Sequence, residues 1–384
     1  MKKFSFFLSC AATALFAMGL TSCEQVQDNP STPVTPTPQT ITIQDGDSLS
    51  AIINQMAATA GDEIVIELPN AIKVFTGNIT TPNGKKVTIV GNGTQTITAS
   101  APIILSNKIA IKEVYINAAN LTADDNLFTY NAEPDEALKG AAGAGTMYNI
   151  LGEAIKFEKV IIDSIPGGLI GDNGKAYVPE QVIIDDCILQ FVPKTANKNA
   201  FQFNTNNNGI KSLTIKNTTA YATGGKRLGY FVKYANNARI DRFGYDNTKD
   251  KIEFHYNNNT FYGLCSNYFH NYGGSMKNFA IFDVTANIFY YDNTNNQQTR
   301  QIVQRIVGQA SSAAGTELNF DGNAFLYNGT PYDSNQASNK QSFNVDTNSV
   351  SEDPKFKTDL IAKGWFFPTN GAFPKGVGDP RWNK

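Results

Sequence analysis

The sequence predicts an all-β protein, a right-handed parallel β-helix with a short N-terminal capping helix. Its main sign is a recurring phrase: an apolar residue, two spacers, Asn, one spacer and an aromatic residue. The Asn is Asn259 in YNNNTFY, Asn287 in VTANIFY and Asn323 in FDGNAFLY, and looser copies centre on Asp186 and Asn217. Strand-length units that recur without helical patterns between them indicate a solenoid, because one unit cannot bury its apolar face alone.

The recurring polar residue favours a structural interpretation. Asparagine at the bend of every coil can donate to one neighbour and accept from the other, so the copies can form a hydrogen-bonded ladder along the stack. We therefore expect Asn217, Asn259, Asn287 and Asn323 to form such a ladder rather than to contact a ligand.

Residues 1–22 are interpreted as a secretory signal. Lys2 and Lys3 precede an apolar run that is too short and wrongly flanked for a stable membrane span. The run ends in LTSC, which resembles the lipobox of bacterial lipoproteins and implies that Cys23 is the lipidated first residue of the mature chain. A plain signal peptide that contains a cysteine at its cleavage site is the alternative.

Residues 23–39 are predicted to be a tether. The segment after Cys23 reads EQVQDNPSTPVTPTPQ, which is rich in proline and nearly free of apolar residues, so it should stay extended. No later segment has the roughly 20 apolar residues of a membrane span. We expect the lipid anchor to hold the protein on the outer membrane, facing the cell exterior.

Composition and cysteine usage narrow the possible partners. The net charge is -2, which argues against nucleic acid as a partner, since binding to phosphates requires cationic neutralisation.

Cys187 and Cys265 are far apart in sequence and are interpreted as free thiols near the core, with a disulfide between them as the alternative. We expect a monomer.

The folded domain is expected to span residues 40–384, with N-terminal coils over about 40–150, ladder coils over about 151–345 and a C-terminal cap over about 346–384. Ser48 is a good N-cap for a helix over Leu49 to Ala60 that covers the first coil. The predicted strands are 40–44, 63–68, 86–91, 94–99, 109–116, 156–162 and 181–189. The tail, with Trp365 and Trp382, is expected to seal the last coil; sugar-binding platforms are the alternative use of both tryptophans.

The coil length is estimated from two similar stretches, EKVIID at 158–163 and EQVIID at 180–185, which lie 22 residues apart. If they stack, Asp163 and Asp185 lie on adjacent coils with Lys216 in register on the next. Two close carboxylates favour a bridging cation, so this trio is a candidate Ca²⁺ site, with Lys216 as a candidate base. A solvated outer row of alternating charges is the favoured interpretation of the trio. Arg239 and Arg242 are further candidate bases.

A glycan-binding surface is predicted where cations and aromatic residues alternate, because guanidinium groups bind carboxylates and rings stack on sugars. Its candidates are Lys226, Arg227, Tyr230, Lys233, Tyr234, Arg239 and Arg242, together with Tyr268, His270 and Tyr272. Phe231 and Phe269 are expected in the core instead. Neither His255, expected to be exposed, nor His270 belongs to a recognisable catalytic pattern.

The phrases NNTFYGL, ANIFYY, GNAFLYNG and GVGDPRW resemble a family of Bacteroidetes lipoproteins that carry domain of unknown function 5123. GDEIVIELPN and VTIVGNG resemble its companion, domain of unknown function 4957. The resemblance covers about residues 40–384 and implies a pectin-lyase-like β-helix on the cell surface, encoded among genes for polysaccharide uptake. It carries over no catalytic residues.

These observations predict a cell-surface lipoprotein that binds a polysaccharide of the pectic or another uronate-rich kind. A polysaccharide lyase that acts by β-elimination is the first alternative, and a structural or adhesive surface protein is the second. Binding is favoured over catalysis, and no cofactor is expected apart from the candidate Ca²⁺.

Overall fold

Three sheets that share one axis build the folded part of the chain, and their described strands pair in parallel except for Ala324–Tyr327 with Thr330–Pro331. The computed structural model describes residues 41–77, 79–122, 125–130, 148–172, 177–203, 209–234, 250–272, 280–292, 316–331 and 346–383. Within these ranges the chain passes repeatedly from one sheet to the next, and each passage lays new strands beside those of the preceding coil. The predicted parallel β-helix is confirmed.

The strands are named in chain order and grouped by sheet. Sheet A contains β1 (Asp47–Ser48), β3 (Lys73–Thr76), β6 (Thr96–Ala99), β9 (Tyr115–Asn117), β12 (Ile161–Ile165), β15 (Ile188–Phe191), β18 (Thr219–Ala222), β21 (Thr260–Tyr262), β24 (Ile288–Tyr291), β26 (Ala324–Tyr327) and β27 (Thr330–Pro331). Sheet B contains β2 (Glu63–Glu67), β5 (Lys86–Val90), β8 (Ile109–Lys112), β11 (Tyr148–Glu158), β14 (Tyr177–Asp185), β17 (Ser212–Lys216), β20 (Ile252–Asn257), β23 (Ala280–Thr285), β25 (Glu317–Asp321) and β28 (Asp346–Thr347). Sheet C contains β4 (Ile79–Thr80), β7 (Ile103–Leu105), β10 (Asn126–Tyr130), β13 (Gly168–Asp172), β16 (Asn199–Gln202), β19 (Leu228–Tyr234) and β22 (Cys265–Tyr272).

Apolar residues at alternate strand positions fill the interior, because successive side chains of a strand point to opposite faces. In sheet B one inward column pairs coil by coil and is buried throughout. It consists of Ile66, Ile89, Ile111, Phe157, Ile184, Ile215, Tyr256, Val284 and Phe320. Burial of each such side chain contributes roughly 1.5–3 kcal/mol. Phe231 and Phe269 are buried as predicted.

Helix α1 (Leu49–Ala57) covers the first coil, as predicted. The backbone N of Ala51 donates to Ser48 Oγ at 3.4 Å, and Leu49, Ile52 and Ile53 are buried beneath the helix. The helix ends at Ala57, before the predicted end. The strand predicted at 40–44 is wrong for residues 41–44, which form no strand, while Thr40 lies outside the described residues.

Three of the predicted strands are each divided by a corner between sheets B and A. The dividing residues are Glu113, Lys159 and Asp186, whose φ angles are +53°, +54° and +54°. One left-handed residue turns the chain, and the next residue points inward again, so the apolar pattern continues across the bend. For this reason 109–116, 156–162 and 181–189 each read as one strand in the sequence.

The buried residue after this corner forms the expected ladder at Asn259, Asn287 and Asn323. Asn259 N and Nδ2 both donate to Asn287 Oδ1 at 2.9 Å, and Asn287 N and Nδ2 donate to Asn323 Oδ1 at 3.0 and 2.9 Å. Asn323 N donates to Asp346 Oδ2 at 3.1 Å. The three amides therefore join successive coils, and Asp346 accepts the last of these bonds.

For the two looser copies, the predicted ladder residues, Asp186 and Asn217, each lie one residue before the true ladder position. Asp186 and Asn217 occupy the left-handed corner position, and Cys187 and Thr218 take the ladder position behind them. Thr218 N donates to Asn259 Oδ1 at 3.0 Å, and Cys187 N donates to Thr218 Oγ1 at 3.2 Å. A slip of one residue exchanges the inner and outer faces of a strand, which explains the error for Asn217. Cys187 and Cys265 are buried free thiols, as predicted.

The coil estimate of 22 residues from EKVIID and EQVIID is also wrong. Glu158, and not Asp163, marks the preceding coil, because it pairs with Asp185 in sheet B. The first stretch spans a corner and continues into sheet A, where Asp163 pairs with Asn117. Ladder positions are separated by 27, 31, 41, 28 and 36 residues from Val160 to Asn323.

Residues 351–383, which we call the strap, run back along the outer face of sheet A and contain helix α2 (Thr358–Ile361). The expectation that the tail lies over the final coil holds only for the preceding segment, where β28 pairs with β25 and Val350 bridges to Ala324. Outward apolar side chains of sheet A explain the difference, since they need a cover of their own.

The ladder yields a stability prediction. Asn287→Ala leaves the buried Asn259 N–H and the Tyr256 carbonyl without their partners, and should lower the free energy of unfolding by about 3 kcal/mol. Asn217→Gly is the matched control, because it removes one half-buried bond at a position that suits glycine; it should change stability by less than about 1 kcal/mol. Urea unfolding followed by circular dichroism measures both, and equal losses would contradict the reassigned ladder.

Candidate functional site

The strap covers a stack of tyrosines on the outside of sheet A. Tyr262 and Tyr290 stack with ring centroids 5.1 Å apart, and Tyr221 precedes them in the same column. Phe366 lies across Tyr221 and Tyr262 at 5.2 and 5.4 Å, and Phe356 lies 5.7 Å from Tyr290. This satellite core places the end of the strap at a fixed position on the coils.

The last strap residues form hydrogen bonds with successively earlier coils. Gly378 N donates to Ala286 O at 2.7 Å, and Asp379 N donates to Thr260 Oγ1 at 3.0 Å. Thr219 Oγ1 donates to Asp379 Oδ2 at 2.7 Å and accepts from Trp382 Nε1 at 2.6 Å. The strap is thus tied to three consecutive coils before it reaches Arg381.

Arg381 links the strap to the corner of the next coil. Its guanidinium binds Asp186, donates to Asp379 Oδ2 at 3.0 Å and reaches the carbonyl of Cys187 at 3.3 Å. Asp379 is fully buried, and burial raises its pKa from 3.8 to about 6 despite Arg381 and Thr219. The guanidinium is therefore the counter-charge of a desolvated carboxylate.

A cleft of about 500 Å³ opens beside Arg381, between the strap and the corners of three coils. Its lining consists of Glu158, Lys159, Asp185, Asp186, Asn217, Pro380 and Arg381. The left-handed backbone of Lys159, Asp186 and Asn217 places these residues at the outside of the bend. Six of the seven lining residues have charged or amide side chains, and their carboxylate and amide groups can hydrogen-bond a ligand rich in hydroxyl groups.

Aromatic rings continue from the cleft along the strap, half-buried at Trp382 and exposed at Phe367 and Trp365. The Arg381 guanidinium lies 5.7 Å from the Trp382 ring, and Trp382 contacts Phe367 edge to face at 5.1 Å. Trp365 and Phe367 lie on one side of an extended segment, opposite buried Phe366, and are 46% and 42% exposed. We call Trp365, Phe367 and Trp382 the aromatic strip.

The structure separates the predicted Ca²⁺ trio. Asp185 pairs with Lys216 at 3.1 Å as expected, but Asp163 lies in a different sheet and accepts from Tyr115 Oη at 2.5 Å. Asp163 and Asp185 therefore do not form a site together. The Asp185–Lys216 pair belongs to an outward row of charges along sheet B, as the favoured interpretation expects, but the charges do not alternate: the row runs Lys112, Glu158, Asp185 and Lys216, with two carboxylates side by side.

The predicted basic surface is partly internal. Arg227 is buried and pairs with Asp292 at 3.3 Å, and Tyr234 is buried in the core. Neither side chain is placed to contact a glycan. Lys226 remains exposed, with its ammonium on the Lys194 carbonyl, and Lys233 lies 5.6 Å over the Tyr230 ring. Arg239 and Arg242 lie outside the described residues.

His270 was also expected on a binding surface, but it is buried in β22. Its Nδ1 lies 3.0 Å from Tyr256 Oη, and burial lowers its pKa to about 3, so the ring is neutral in the core. Tyr268 and Tyr272 belong to the same strand, and their side chains lie outside the described part. His255 is partly exposed between Glu253 and Asp283, at 3.2 and 3.4 Å.

Sequence reasoning missed Glu158, Lys159 and Arg381 as members of one cleft. The GDPRW ending carried a signal, because it sets an acid and a base, Asp379 and Arg381, on either side of one proline. The contact partner of Arg381 is Asp186, almost two hundred positions earlier, and no spacing rule connects the two. Of the two tryptophans that are alternative sugar platforms, Trp365 is exposed and Trp382 is half-buried.

Comparisons and searches of the described residues add three findings. The chain matches no protein-family model, no curated protein and no solved structure. Among the described residues, the side chains of His, Cys, Asp and Glu form no group of three or more that could hold a metal ion. The helices in this part of the chain are all too short or too polar to cross a membrane.

Strap docking depends on Gly378. Its φ is +88°, and a Cβ atom there would lie 2.6 Å from Ile288 Cδ1 and 2.9 Å from Thr260 Oγ1. Gly378→Ala should therefore weaken docking by about 3 kcal/mol and increase hydrogen exchange at the strap amides. Gly371→Ala is the control, since its Cβ would meet nothing within 4 Å; equal exchange in both variants would contradict this role.

Asp379 predicts a pH dependence of stability. The pKa of Asp379 in the folded state, about 6, lies above the ordinary 3.8. The stabilisation of the folded state that comes from its protonated form is therefore fully present below pH 3.8 and is lost as the pH rises through 6. Relative to Asp379→Asn, the wild-type free energy of unfolding should fall by about 1–3 kcal/mol between pH 4 and pH 7. The exposed Asp359→Asn should preserve the wild-type profile, and a constant difference for Asp379→Asn would refute the shift.

Proposed function

We propose that the protein is a cell-surface lipoprotein that binds a polysaccharide at the end of the strap. The observation that supports this most is the aromatic strip beside the polar cleft. Exposed rings offer apolar faces for the C–H faces of sugars, and the adjacent carboxylates and amide offer acceptors and donors for hydroxyl groups. Exposed apolar patches with polar borders are typical of binding sites.

The rigid support of this surface favours binding of an extended chain. Phe366 is buried against two tyrosines, so the rings on either side of it are held without further ordering. A preformed surface loses little conformational entropy when a ligand binds. The predicted signal, lipidated Cys23 and tether would present such a surface outside the cell, as the resemblance to the Bacteroidetes lipoproteins implies.

The lyase alternative depends on Lys216 as the base. Lys216 pairs with Asp185 at 3.1 Å next to the cleft, so a cation and carboxylates are close to a bound glycan. Elimination from a uronate produces an unsaturated product that absorbs ultraviolet light. Growth of that absorbance with polygalacturonate, abolished in Lys216→Ala, would assign a lyase instead of a binding protein.

Affinity electrophoresis through polysaccharide-containing gels tests the binding function. The double variant Trp365→Ala and Phe367→Ala should lose about tenfold in affinity for the retained polysaccharide, which corresponds to about 1.4 kcal/mol. Phe75→Ala is the matched control, because Phe75 is 40% exposed at the other end of sheet A and should leave retention unchanged. Retention that is insensitive to the double variant would exclude the strip as the site, and no retention in any gel would leave the adhesive or structural role.

A further inference from the structure

The ionic groups around the cleft are already paired with one another. Four ion pairs surround it among the described residues: Lys112 with Glu158 at 3.2 Å, Lys159 with Glu113 at 3.4 Å, Lys216 with Asp185 at 3.1 Å, and Arg381 with Asp186. Each cation here has a carboxylate partner. The buried Asp379 adds a further carboxyl group beneath Arg381. An incoming anion would therefore meet a balanced or slightly negative field.

Arg381 is poorly placed to accept a ligand carboxylate. Three of its five N–H donors are directed at Asp186, Asp379 and the Cys187 carbonyl. A uronate that displaced Asp186 would have to keep Asp379 compensated, since removing the partner of a buried charge is costly. The arrangement thus holds the strap in place and engages both terminal nitrogens of the guanidinium, so a bidentate anion would have to compete with Asp186 and Asp379.

The groups that remain available in the cleft are mainly acceptors. A carboxylate has about four lone-pair sites, so Glu158, Asp185 and Asp186 can accept further hydrogen bonds while their ion pairs stay intact. Asn217 also lines the cleft, and its Nδ2 donates to Asp185 Oδ1 at 3.1 Å. The side-chain carbonyl oxygen of Asn217 is therefore a further acceptor. Such a set suits a ligand that donates several O–H groups and carries no negative charge.

We infer that the site at the end of the strap takes a neutral glycan and excludes uronate chains. This inference rests on the proposed function and replaces the uronate preference expected from the basic segment. Of that segment, Arg227 is buried in its pair with Asp292, and Tyr234 is in the core. The neutral chain lies with its sugar faces on the aromatic strip and its hydroxyl groups toward the corner carboxylates.

Galacturonan and its fully methyl-esterified form provide a matched pair of probes, because they have the same sugar backbone and differ in charge. Together with neutral xylan, mannan, galactan and glucan oligosaccharides, they are titrated into the wild-type protein by calorimetry at 50 and 500 mM NaCl. We expect at least one uncharged probe to bind, with an affinity that changes less than twofold with salt, because screening acts on charges. Acidic galacturonan should bind at least about tenfold more weakly than its methyl ester.

Variants make the test specific to the cleft. Asp185→Asn releases Lys216 from its ion pair and should create salt-sensitive binding of acidic galacturonan, while Asp359→Asn on the exposed side of α2 should not. Tighter binding of acidic than of esterified galacturonan to the wild type, weakened by the Trp365→Ala and Phe367→Ala double variant, would overturn this inference and leave the proposed function. Binding of no probe would overturn the proposed function itself, and the neutral preference with it.

Discussion

The backbone N–H at the corner between sheets B and A is the constraint on which the stack depends. A left-handed residue turns the chain there, and the next residue enters the core with its N–H directed at the following coil. A buried N–H needs an acceptor, and in the described coils from Val160 onward an inward side chain of the following coil supplies it. Asn287 and Asn323 supply their Oδ1 atoms for this purpose and thereby fix the stacking register.

The same column explains how the two ends of the solenoid differ. Toward the N-terminus the ladder position holds Val160 and Cys187, and the coils there are held chiefly by apolar packing. Toward the C-terminus the amides take over, and Asp346 accepts the final N–H. The strap covers mainly the amide-bearing coils, where sheet A carries tyrosines outward. The ladder, the tyrosine column and the strap therefore lie one outside the other in the same coils, and the cleft lies at the edge of this region.

Much of the architecture could be predicted from the sequence because solenoids depend on local repetition. The phrases around Asn259, Asn287 and Asn323 showed the inward amides directly, and Ser48 marked the helical cap. The copies at Asp186 and Asn217 were misplaced by one position because a polar residue stands at the corner and a small one, Cys187 or Thr218, stands inside. Asp186 and Asn217 resemble the ladder asparagines chemically, but the buried ladder position belongs to Cys187 and Thr218.

The candidate site was harder to predict, since it joins segments that only the coil register and the strap bring together. Glu158 faces Asp185 because the true coil measures 27 residues at this point, and the repeated EKVIID and EQVIID suggested another register. The burial of Arg227 depends on Asp292, which lies on a later coil. Charged residues that look like a surface cluster in the sequence can be internal ion pairs when coils of unequal length are stacked.

Placement of the strap also imposes an order on biosynthesis. Coils can assemble as they leave the ribosome, because each needs only its predecessor as a template. The tyrosine column of sheet A cannot be covered at that stage, since Phe356 and Phe366 emerge after every coil they protect. Until the strap has been synthesised, a row of aromatic rings stays accessible to chaperones and to other nascent chains.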